Sequence, residues 1–254
     1  MVSMTNMPNM ANKTCTASDV SLIKRSIIDF HAHVLPRADH GSSSLETSLF
    51  QLDAARCYGV SKIIATPHFY PNSHALDLFL KRRENAYRTL MGTWCDSMPD
   101  IRLGAEVLLC ENLNKLPGLE ELCIYGTRTL LLELPFVSFE DSYVSTVDKI
   151  MAMDIDIILA HADKYPKENI EKLRMLGARL QLNADSLATF RKKKHLYDWL
   201  EDGAVVALGS DIHGKDAKSY KKFLRALDKI PSTAIKTISK YSEELWNNSK
   251  EYQL

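Results

Sequence analysis

Short apolar runs recur along this chain, and polar or turn-forming residues bound most of them. Continuous runs of Val, Ile, Leu and Ala are typical of strands that are buried on both faces of a parallel sheet. We therefore predict seven buried parallel strands, near residues 26–30, 62–65, 101–105, 130–134, 155–160, 179–182 and 205–208.

Helical patterns fill most of the segments between these runs. The clearest one places Leu45, Leu49 and Leu52 at i, i+4 and i+7, which is the spacing of one helix face. Ser43 and Glu46 have the spacing of a capping box, so we predict that a helix begins just after Ser43.

Strand and helix patterns alternate down the chain, which predicts an α/β fold with a parallel sheet. Two closing helices are expected in residues 219–248, where Pro231 divides two apolar patterns. Candidate ligand residues follow nearly every predicted strand, whereas an open doubly wound sheet gathers them in one crevice. We therefore favour a β/α barrel over an open doubly wound sheet, which is the alternative.

The length of 254 residues and the hydrophobic fraction of 45% are enough for one domain with a substantial core. Residues 1–24 are rich in Met, Asn, Thr and Ser and lack the apolar core of a secretory signal, so we interpret them as a flexible leader. No run reaches the roughly 20 apolar residues of a membrane helix. We expect residues 25–254 to form a single domain that does not enter a membrane.

Charge and cysteine content exclude several classes of protein. Lys plus Arg and Asp plus Glu both number 32, so the net charge gives no argument for nucleic acid or an anionic membrane as partner. The 5 cysteines are scattered and never spaced as Cys-x-x-Cys, which disfavours a disulfide framework and a thiolate zinc cluster. A reducing cytoplasm is the expected location.

Pairs of metal-binding residues stand at the ends of the first and last predicted strands. His31 and His33 are two residues apart, so their side chains point to the same face and can bind one ion. Asp211 and His213 repeat this spacing. Asp29 points the same way and is expected to support an imidazole as an outer partner.

Two glutamates follow strongly apolar stretches. Glu106 and Glu133 would each cost several kcal/mol if buried as unpaired carboxylates, and a metal ion removes that cost. The alternative is a salt bridge to Arg102 or Arg128.

Further histidines end other apolar runs or lie on the loop after the first strand. His68 and His161 are weak signals alone, but each ends a predicted strand where the other candidate ligands occur. On the loop, either Asp39 or His40 could reach an ion, and the residues alone do not separate them. Two histidines away from strand ends are interpreted as surface residues, His74 and His195.

The order of these motifs resembles the polymerase and histidinol phosphatase (PHP) superfamily of metal-dependent phosphoesterases, over about residues 27–215. Several short motifs look more narrowly like the bacterial protein-tyrosine phosphatases of capsule and exopolysaccharide loci. These motifs are Asp29-x-His31-x-His33-Val-Leu-Pro, Asp39-His40-Gly41, Ala65-Thr-Pro-His68 and Ser210-Asp211-x-His213. The resemblance implies a distorted (β/α)7-type barrel that holds about three metal ions, usually manganese or iron and sometimes zinc or magnesium.

The resemblance also implies which residues hold each ion, when the family's ligands are carried over by position. The implied ligands are His31, His33, Glu106 and Asp211 for the first ion; Glu106, Glu133 and His161 for the second; and Asp39 or His40 with His68 and His213 for the third. Glu106 would bridge the first two ions.

The arginines with which this family binds phosphate are replaced in this chain. Lys164 stands where the first is expected, and Lys215 or Lys218 could supply the second charge. Lysine is a point charge without the planar fork of arginine, and Arg37 on the metal-side loop could compensate in part. We assign substrate binding to Arg37, Lys164 and Lys215, and catalysis to Glu106, Asp211, His213 and Lys164.

The predicted activity is metal-dependent hydrolysis of a phosphomonoester, without a cysteine nucleophile. The resemblance implies a phosphotyrosine protein as substrate, in particular a tyrosine kinase that regulates polysaccharide export. One alternative is a small-molecule phosphatase, such as one that acts on histidinol phosphate. Another is a metal-binding regulatory module with little turnover. The sequence leaves open the physiological metal and whether the protein forms a homo-oligomer.

Overall fold

A computed structural model describes residues 27–136, 139–189 and 193–248. The predicted leader, residues 1–24, lies outside the described residues. Where the structure describes the chain, no helix is long and apolar enough to cross a membrane.

All seven predicted strands are present, and two very short strands accompany them. Every pairing between neighbouring strands is parallel. The strands are β1 (Ile27–Ala32), β2 (Val60–Ala65), β3 (His68–Phe69), β4 (Asp100–Leu103), β5 (Glu106–Leu108), β6 (Thr129–Glu133), β7 (Asp156–Leu159), β8 (Arg179–Asn183) and β9 (Val205–Gly209).

The two short strands continue two longer ones. β3 follows β2 after Thr66 and Pro67, and β5 follows β4 after Gly104 and Ala105. β2 pairs with β4, β3 pairs with β5, and the backbone N–H of Gly104 donates to the carbonyl of Ala65 at 2.8 Å between the two pairings. The sheets β1-β2-β4 and β3-β5-β6-β7-β8-β9 therefore form one continuous surface with seven strand positions.

Backbone contacts also join the first strand to the segment after the last one. The N–H of Asp211 donates to the carbonyl of His31 at 2.9 Å, and the N–H of His33 donates to the carbonyl of Ile212 at 3.3 Å. The seventh position thus returns to the first, which confirms the distorted (β/α)7-type barrel.

The described helices fill the connections between strands. They are α1 (Leu45–Cys57), α2 (Leu76–Met91), α3 (Asp141–Met151), α4 (Lys167–Arg174), α5 (Ala184–Ala188), α6 (Lys194–Glu201), α7 (Lys218–Leu227) and α8 (Ser232–Asn248). Short 3-10 turns occur at Leu113–Lys115, Leu119–Leu122 and Ala162–Lys164. The two closing helices, α7 and α8, lie on either side of Pro231 as predicted.

The predicted capping box at α1 is wrong by one residue. The cap is Ser44, whose hydroxyl accepts the N–H of Thr47 at 3.2 Å, while the Ser43 hydroxyl faces the Thr47 hydroxyl at 3.3 Å. Three consecutive serines, Ser42–Ser44, precede the helix, and each has a side chain suited to the cap. The extended backbone of Ser44 selects it.

A compact apolar cluster fills the barrel below the polar strand ends. It includes Phe30 of β1, Ile64 of β2, Leu131 of β6 and Ile158 of β7, together with Leu245 of α8. Side chains from non-adjacent strands meet only across the interior, so the barrel is a packed core and not a pore.

Candidate metal centre

Eight of the predicted metal-binding residues meet at the carboxyl ends of the strands. Seven of them form three groups, and within each group the candidate ligand atoms lie within 4.8 Å of one another. The groups are His31, His33 and Asp211; His68, Glu106 and Glu133; and His33, His68 and His213. His161 adjoins the second group through Glu106.

Glu106 lies at the centre of the cluster and is fully buried. Its Oε2 atom is 3.1 Å from His31 Nε2, 3.3 Å from His33 Nε2 and 2.9 Å from His68 Nδ1. Its Oε1 atom is 2.7 Å from His161 Nε2. One carboxylate therefore faces four imidazoles, which is the arrangement expected of a ligand shared between ions.

Hydrogen bonds from behind fix the orientation of His31 in β1 and of His33 directly after it. His31 Nδ1 faces Gln181 Oε1 at 3.1 Å, and this oxygen also accepts the backbone N–H of His161 at 2.7 Å. His33 Nδ1 faces Asp39 Oδ2 at 2.6 Å. Because both partners are acceptors, both Nδ1 atoms carry hydrogen, so in the neutral rings both Nε2 atoms present lone pairs.

These lone pairs converge. The Nε2 atoms of His31 and His33 are 3.1 Å apart, and they lie 3.8 Å and 3.5 Å from Asp211 Oδ1. His68 Nδ1 and Glu106 Oε2 are close but make no hydrogen bond with each other. Converging imidazole nitrogens and carboxylate oxygens, with His68 Nδ1 and Glu106 Oε2 left without a hydrogen-bond partner, fit divalent cations, which bind both kinds of atom.

The electrostatics of the cluster agree with this fit. Burial acts to lower the pKa of His31, but the charges of Glu106 and Asp211 raise it above the ordinary value. Burial, and then the charge of Glu106, raise the pKa of Glu133 to about 7. Two buried carboxylates so close together repel each other, and a cation bound between them would relieve that repulsion.

Asp211 and His161 occupy backbone conformations that side chains rarely adopt. Their φ angles are 50° and 33°, in the left-handed region. Strain of this kind persists where surrounding contacts over-determine the backbone, and such residues cluster at functional sites. Here Asp211 Oδ1 faces His31 and His33, and His161 faces Glu106.

The structure places the two loop candidates differently. The Oδ2 atom of Asp39 accepts from His33 and from the backbone N–H of His68 at 3.0 Å, and its Oδ1 atom accepts from the N–H of Gly41 at 2.8 Å. The ring of His40 is stacked at 4.8 Å from the rings of His68 and His213. Asp39 thus lies behind His33, and His40 lies beside the third group.

Among the predicted phosphate-binding residues, Lys164 lies at the cluster. Its Nζ atom donates to Asp211 Oδ2 at 2.8 Å, and burial acts to lower its pKa while the charge of Asp211 raises it above the ordinary value. Lys215 instead pairs with Glu46 at 2.6 Å. Arg37 is exposed and donates to the carbonyl of Ser43 at 3.4 Å.

Five further residues that the sequence analysis named lie as follows. Asp29 accepts from the backbone N–H groups of Ser210, at 2.8 Å, and His31, at 3.3 Å, and so supports the backbone of the site. Arg102 lies over the Trp246 ring and Arg128 donates to the carbonyls of Met153 and Asp154, so the structure does not pair either with Glu106 or Glu133. The half-buried His74 and His195 lie outside the three groups.

Sequence reasoning missed two amide side chains at the end of β8. Gln181 holds His31, and its Nε2 donates to Asn183 Oδ1 at 3.0 Å. Asn183 in turn donates to Asp211 Oδ2 at 2.7 Å. These residues are two apart at a strand end, which is the same signal that identified His31 and His33.

Gly209 permits the close packing behind these residues. A Cβ atom at this position would lie 2.5 Å from the Cβ atom of His31 and 2.7 Å from Gln181 Nε2. A Cβ atom added at Gly41 would lie still closer to the Cβ atom of His33. His31 and His33 therefore both rest against glycine backbone.

Comparison with known proteins gives a family match along nearly the whole described chain. The model of the family described as capsular polysaccharide synthesis, CpsB/CapC, matches residues 27–249. No match to a curated protein sequence was found.

Solved structures share the fold. One belongs to the pair YwqE from Bacillus subtilis and CpsB from Streptococcus pneumoniae, which are described as unique metal-dependent tyrosine phosphatases. It is 21% identical, covers 90% of this chain and 97% of its own, and has a TM-score of 0.70. A beta-aspartyl dipeptidase from Fervidobacterium islandicum AW-1 is 11% identical, covers 87% of this chain and 72% of its own, and has a TM-score of 0.54.

Proposed function

Because the chain belongs to the CpsB/CapC family of capsular polysaccharide synthesis, we propose that it is a metal-dependent phosphatase that removes phosphate from tyrosine side chains of a protein. The observation that carries this proposal is the set of imidazole and carboxylate lone pairs that converge around Glu106. The description of similar folds as metal-dependent tyrosine phosphatases supports the same reaction. Residues 25–254 would act as one catalytic domain.

The metal ions would occupy the three groups of converging ligands. The proposed ligands are His31, His33, Glu106 and Asp211 for the first ion; Glu106, Glu133 and His161 for the second; and His40, His68 and His213 for the third, with Asp39 as the partner of His33. Mixed imidazole and carboxylate sites accept several metals, and we propose manganese, with iron, zinc or magnesium as alternatives. When bound, such ions supply Lewis acidity, which activates water and polarises the phosphate.

The chain's own residues would bind and orient the substrate. Lys164 keeps its charge at neutral pH and can donate to a phosphate oxygen next to Asp211. Burial, and then the charge of His33, lower the pKa of His213 to about 4, so this imidazole offers its lone pair at neutral pH. Water would attack phosphorus, the bond to the tyrosine oxygen would break, and tyrosine and inorganic phosphate would leave.

An aryl phosphate is easier to hydrolyse than an alkyl phosphate, because its leaving oxygen is the weaker base. A tyrosine phenol has a pKa of about 10, whereas the pKa of water is about 15.7. The oxygen of an aryl phosphate therefore leaves with less help from a proton donor than an alkyl oxygen does. The proposed partner is a tyrosine kinase that regulates polysaccharide export. The proposed location of this protein is the cytoplasm. The free state of the described cysteines is compatible with that location.

A small-molecule phosphatase is the second candidate. Lys164 is a point charge and lacks the planar fork with which arginine binds phosphate in two places. This difference leaves room for a substrate other than a phosphotyrosine protein. Comparing turnover of a phosphotyrosine peptide with that of histidinol phosphate separates the two candidates.

The first experiment is hydrolysis of para-nitrophenyl phosphate and of a phosphotyrosine peptide by manganese-loaded protein. The wild type should release phosphate from both, and His33→Ala and a chelated sample should release almost none. The metal content of the same samples, measured by mass spectrometry, should fall in His33→Ala. If the loaded wild type hydrolyses neither substrate, the tyrosine phosphatase proposal fails, and a narrow small-molecule substrate or a regulatory module becomes the better explanation.

A further inference from the structure

One exposed aromatic side chain is stacked on the candidate metal centre. Phe136 follows Glu133 by three residues and is 69% exposed. Its ring is 6.2 Å from the ring of His161, with an angle of 18° between the ring planes. The other exposed large apolar side chains of the described chain are Leu78, Met153 and Met175.

The residue on which Phe136 rests is buried and hydrogen-bonded. The ring of Tyr165 lies 5.2 Å from that of Phe136, and Tyr165 itself is buried. The Tyr165 hydroxyl donates to the carbonyl of Leu134 at 2.8 Å, which ties Tyr165 to the residue after β6. An apolar ring that leaves most of its surface in water adds little to folding, so its place beside the site calls for another explanation.

A second aromatic ring flanks the cluster on the side of His68. Tyr70 is half-buried, and its ring is stacked 5.4 Å from that of His68 with an angle of 19°. Burial, and then the charge of Glu133, raise the pKa of Tyr70 to about 12, so its ring stays neutral. Glu133 lies between the two histidines, 3.9 Å from His68 and 3.6 Å from His161.

We propose that Phe136 determines substrate specificity by packing against the aromatic ring of an aryl phosphate whose phosphate group lies at the cluster. This inference rests on the proposed phosphatase function and deepens it. Binding sites commonly combine an apolar contact with a few polar groups that fix the reacting atom. Here Phe136 is the apolar contact, and Lys164 with the cluster forms the polar part.

The test uses ligands that differ only in the aromatic ring. Binding of phenylphosphonate and methylphosphonate to manganese-loaded protein is measured by calorimetry, which needs no turnover. For Phe136→Ala we expect a loss on the order of threefold to tenfold in affinity for phenylphosphonate, because packing between two aromatic rings contributes about this factor. The affinity for methylphosphonate should not change. With a phosphotyrosine peptide, KM should rise while kcat changes little.

Two variants sharpen the result. Phe136→Tyr keeps an aromatic ring and should retain the preference for phenylphosphonate. Met175→Ala removes another exposed apolar side chain, one that is 88% exposed in the turn after α4, and should leave both affinities unchanged.

The outcomes separate this inference from the function on which it rests. If Phe136→Ala binds both phosphonates as the wild type does, the role of Phe136 is overturned while the phosphatase proposal stands. An equal loss for both ligands, with a lower melting temperature, also overturns it, because it indicates a structural role. If the wild type neither binds a phosphonate nor hydrolyses an aryl phosphate, both proposals fail.

Discussion

Asn183 donates its side-chain amide to Asp211 Oδ2 at 2.7 Å, which ties the end of β8 to the turn after β9. Lys164 donates to the same oxygen of Asp211, while the other oxygen of Asp211 faces His31 and His33. Asn183 therefore stands behind a proposed ligand in the way that outer partners of metal ligands do. It would act by positioning Asp211 and would not touch the substrate.

Replacing Asn183 by Ala should lower manganese affinity by about 10- to 100-fold, the usual loss when an outer partner of a ligand is removed. Equilibrium dialysis gives the affinity directly, and phosphate release gives the activity. Excess manganese should restore most of the activity of Asn183→Ala. Asn85→Ala, on the exposed face of α2, is the matched control and should bind manganese normally. Unchanged affinity in Asn183→Ala would remove this residue from the site.

Gly209→Ala should destabilise the protein and weaken metal binding together. The added methyl group would meet the side chains of His31 and Gln181, and forcing an extra methyl into a packed site costs about 1–3 kcal/mol. Chemical denaturation measures the free energy of unfolding. Gly92→Ala is the control, because its new Cβ atom would come no closer than 3.5 Å to another atom. Equal stability of the two variants would contradict the close packing described for Gly209.

Lys164→Met should reduce kcat/KM for aryl phosphates by about 10- to 100-fold, because a hydrogen bond from a charged group is worth about 1.5–3 kcal/mol. Lys215→Met should have a smaller effect, since the Lys215 ammonium pairs with Glu46. Lys172→Met removes a charge paired with Asp141 and serves as the control. A larger loss in Lys215→Met than in Lys164→Met would show that Lys215 leaves Glu46 to bind phosphate.

Thiol alkylation should leave activity intact, whereas chelation should abolish it. Cys95 is exposed, and its hydrogen bond with Ser97 lowers the pKa of its thiol, so among the cysteines that the structure describes iodoacetamide should react there first. Burial raises the pKa of the thiols of Cys110 and Cys123, which should react slowly. Mass spectrometry locates the modified thiols, and phosphate release is measured on the same sample. Activity lost in step with alkylation would point to a cysteine nucleophile instead.

Much of the fold could be predicted from the sequence because buried parallel strands leave continuous apolar runs. β3 and β5 were missed since strands of two and three residues leave no periodic signal. The cap of α1 could not be located because adjacent serines are chemically equivalent, and only the backbone distinguishes Ser44 from Ser43.

The candidate site was predictable where its residues are ionisable and stand at strand ends. Gln181 and Asn183 escaped notice because amides carry no charge and are common on surfaces, although their spacing matched that of His31 and His33. Lys164 and Lys215 both follow proposed ligands closely in the sequence. Only the fold shows that Lys164 faces Asp211 and that Lys215 faces Glu46.

The interruption of two neighbouring strands at the same level has a consequence for how this chain can change. Because β3 pairs with β5 directly after the breaks, His68 stands beside Glu106 in register. A single residue inserted or deleted between β4 and β5 would turn Glu106 to the opposite face of the sheet. The connections that contain helices can gain or lose residues without turning a ligand to the opposite face of the sheet. We therefore expect insertions and deletions to be tolerated in the helical connections around the barrel, but not at Thr66–Pro67 or Gly104–Ala105.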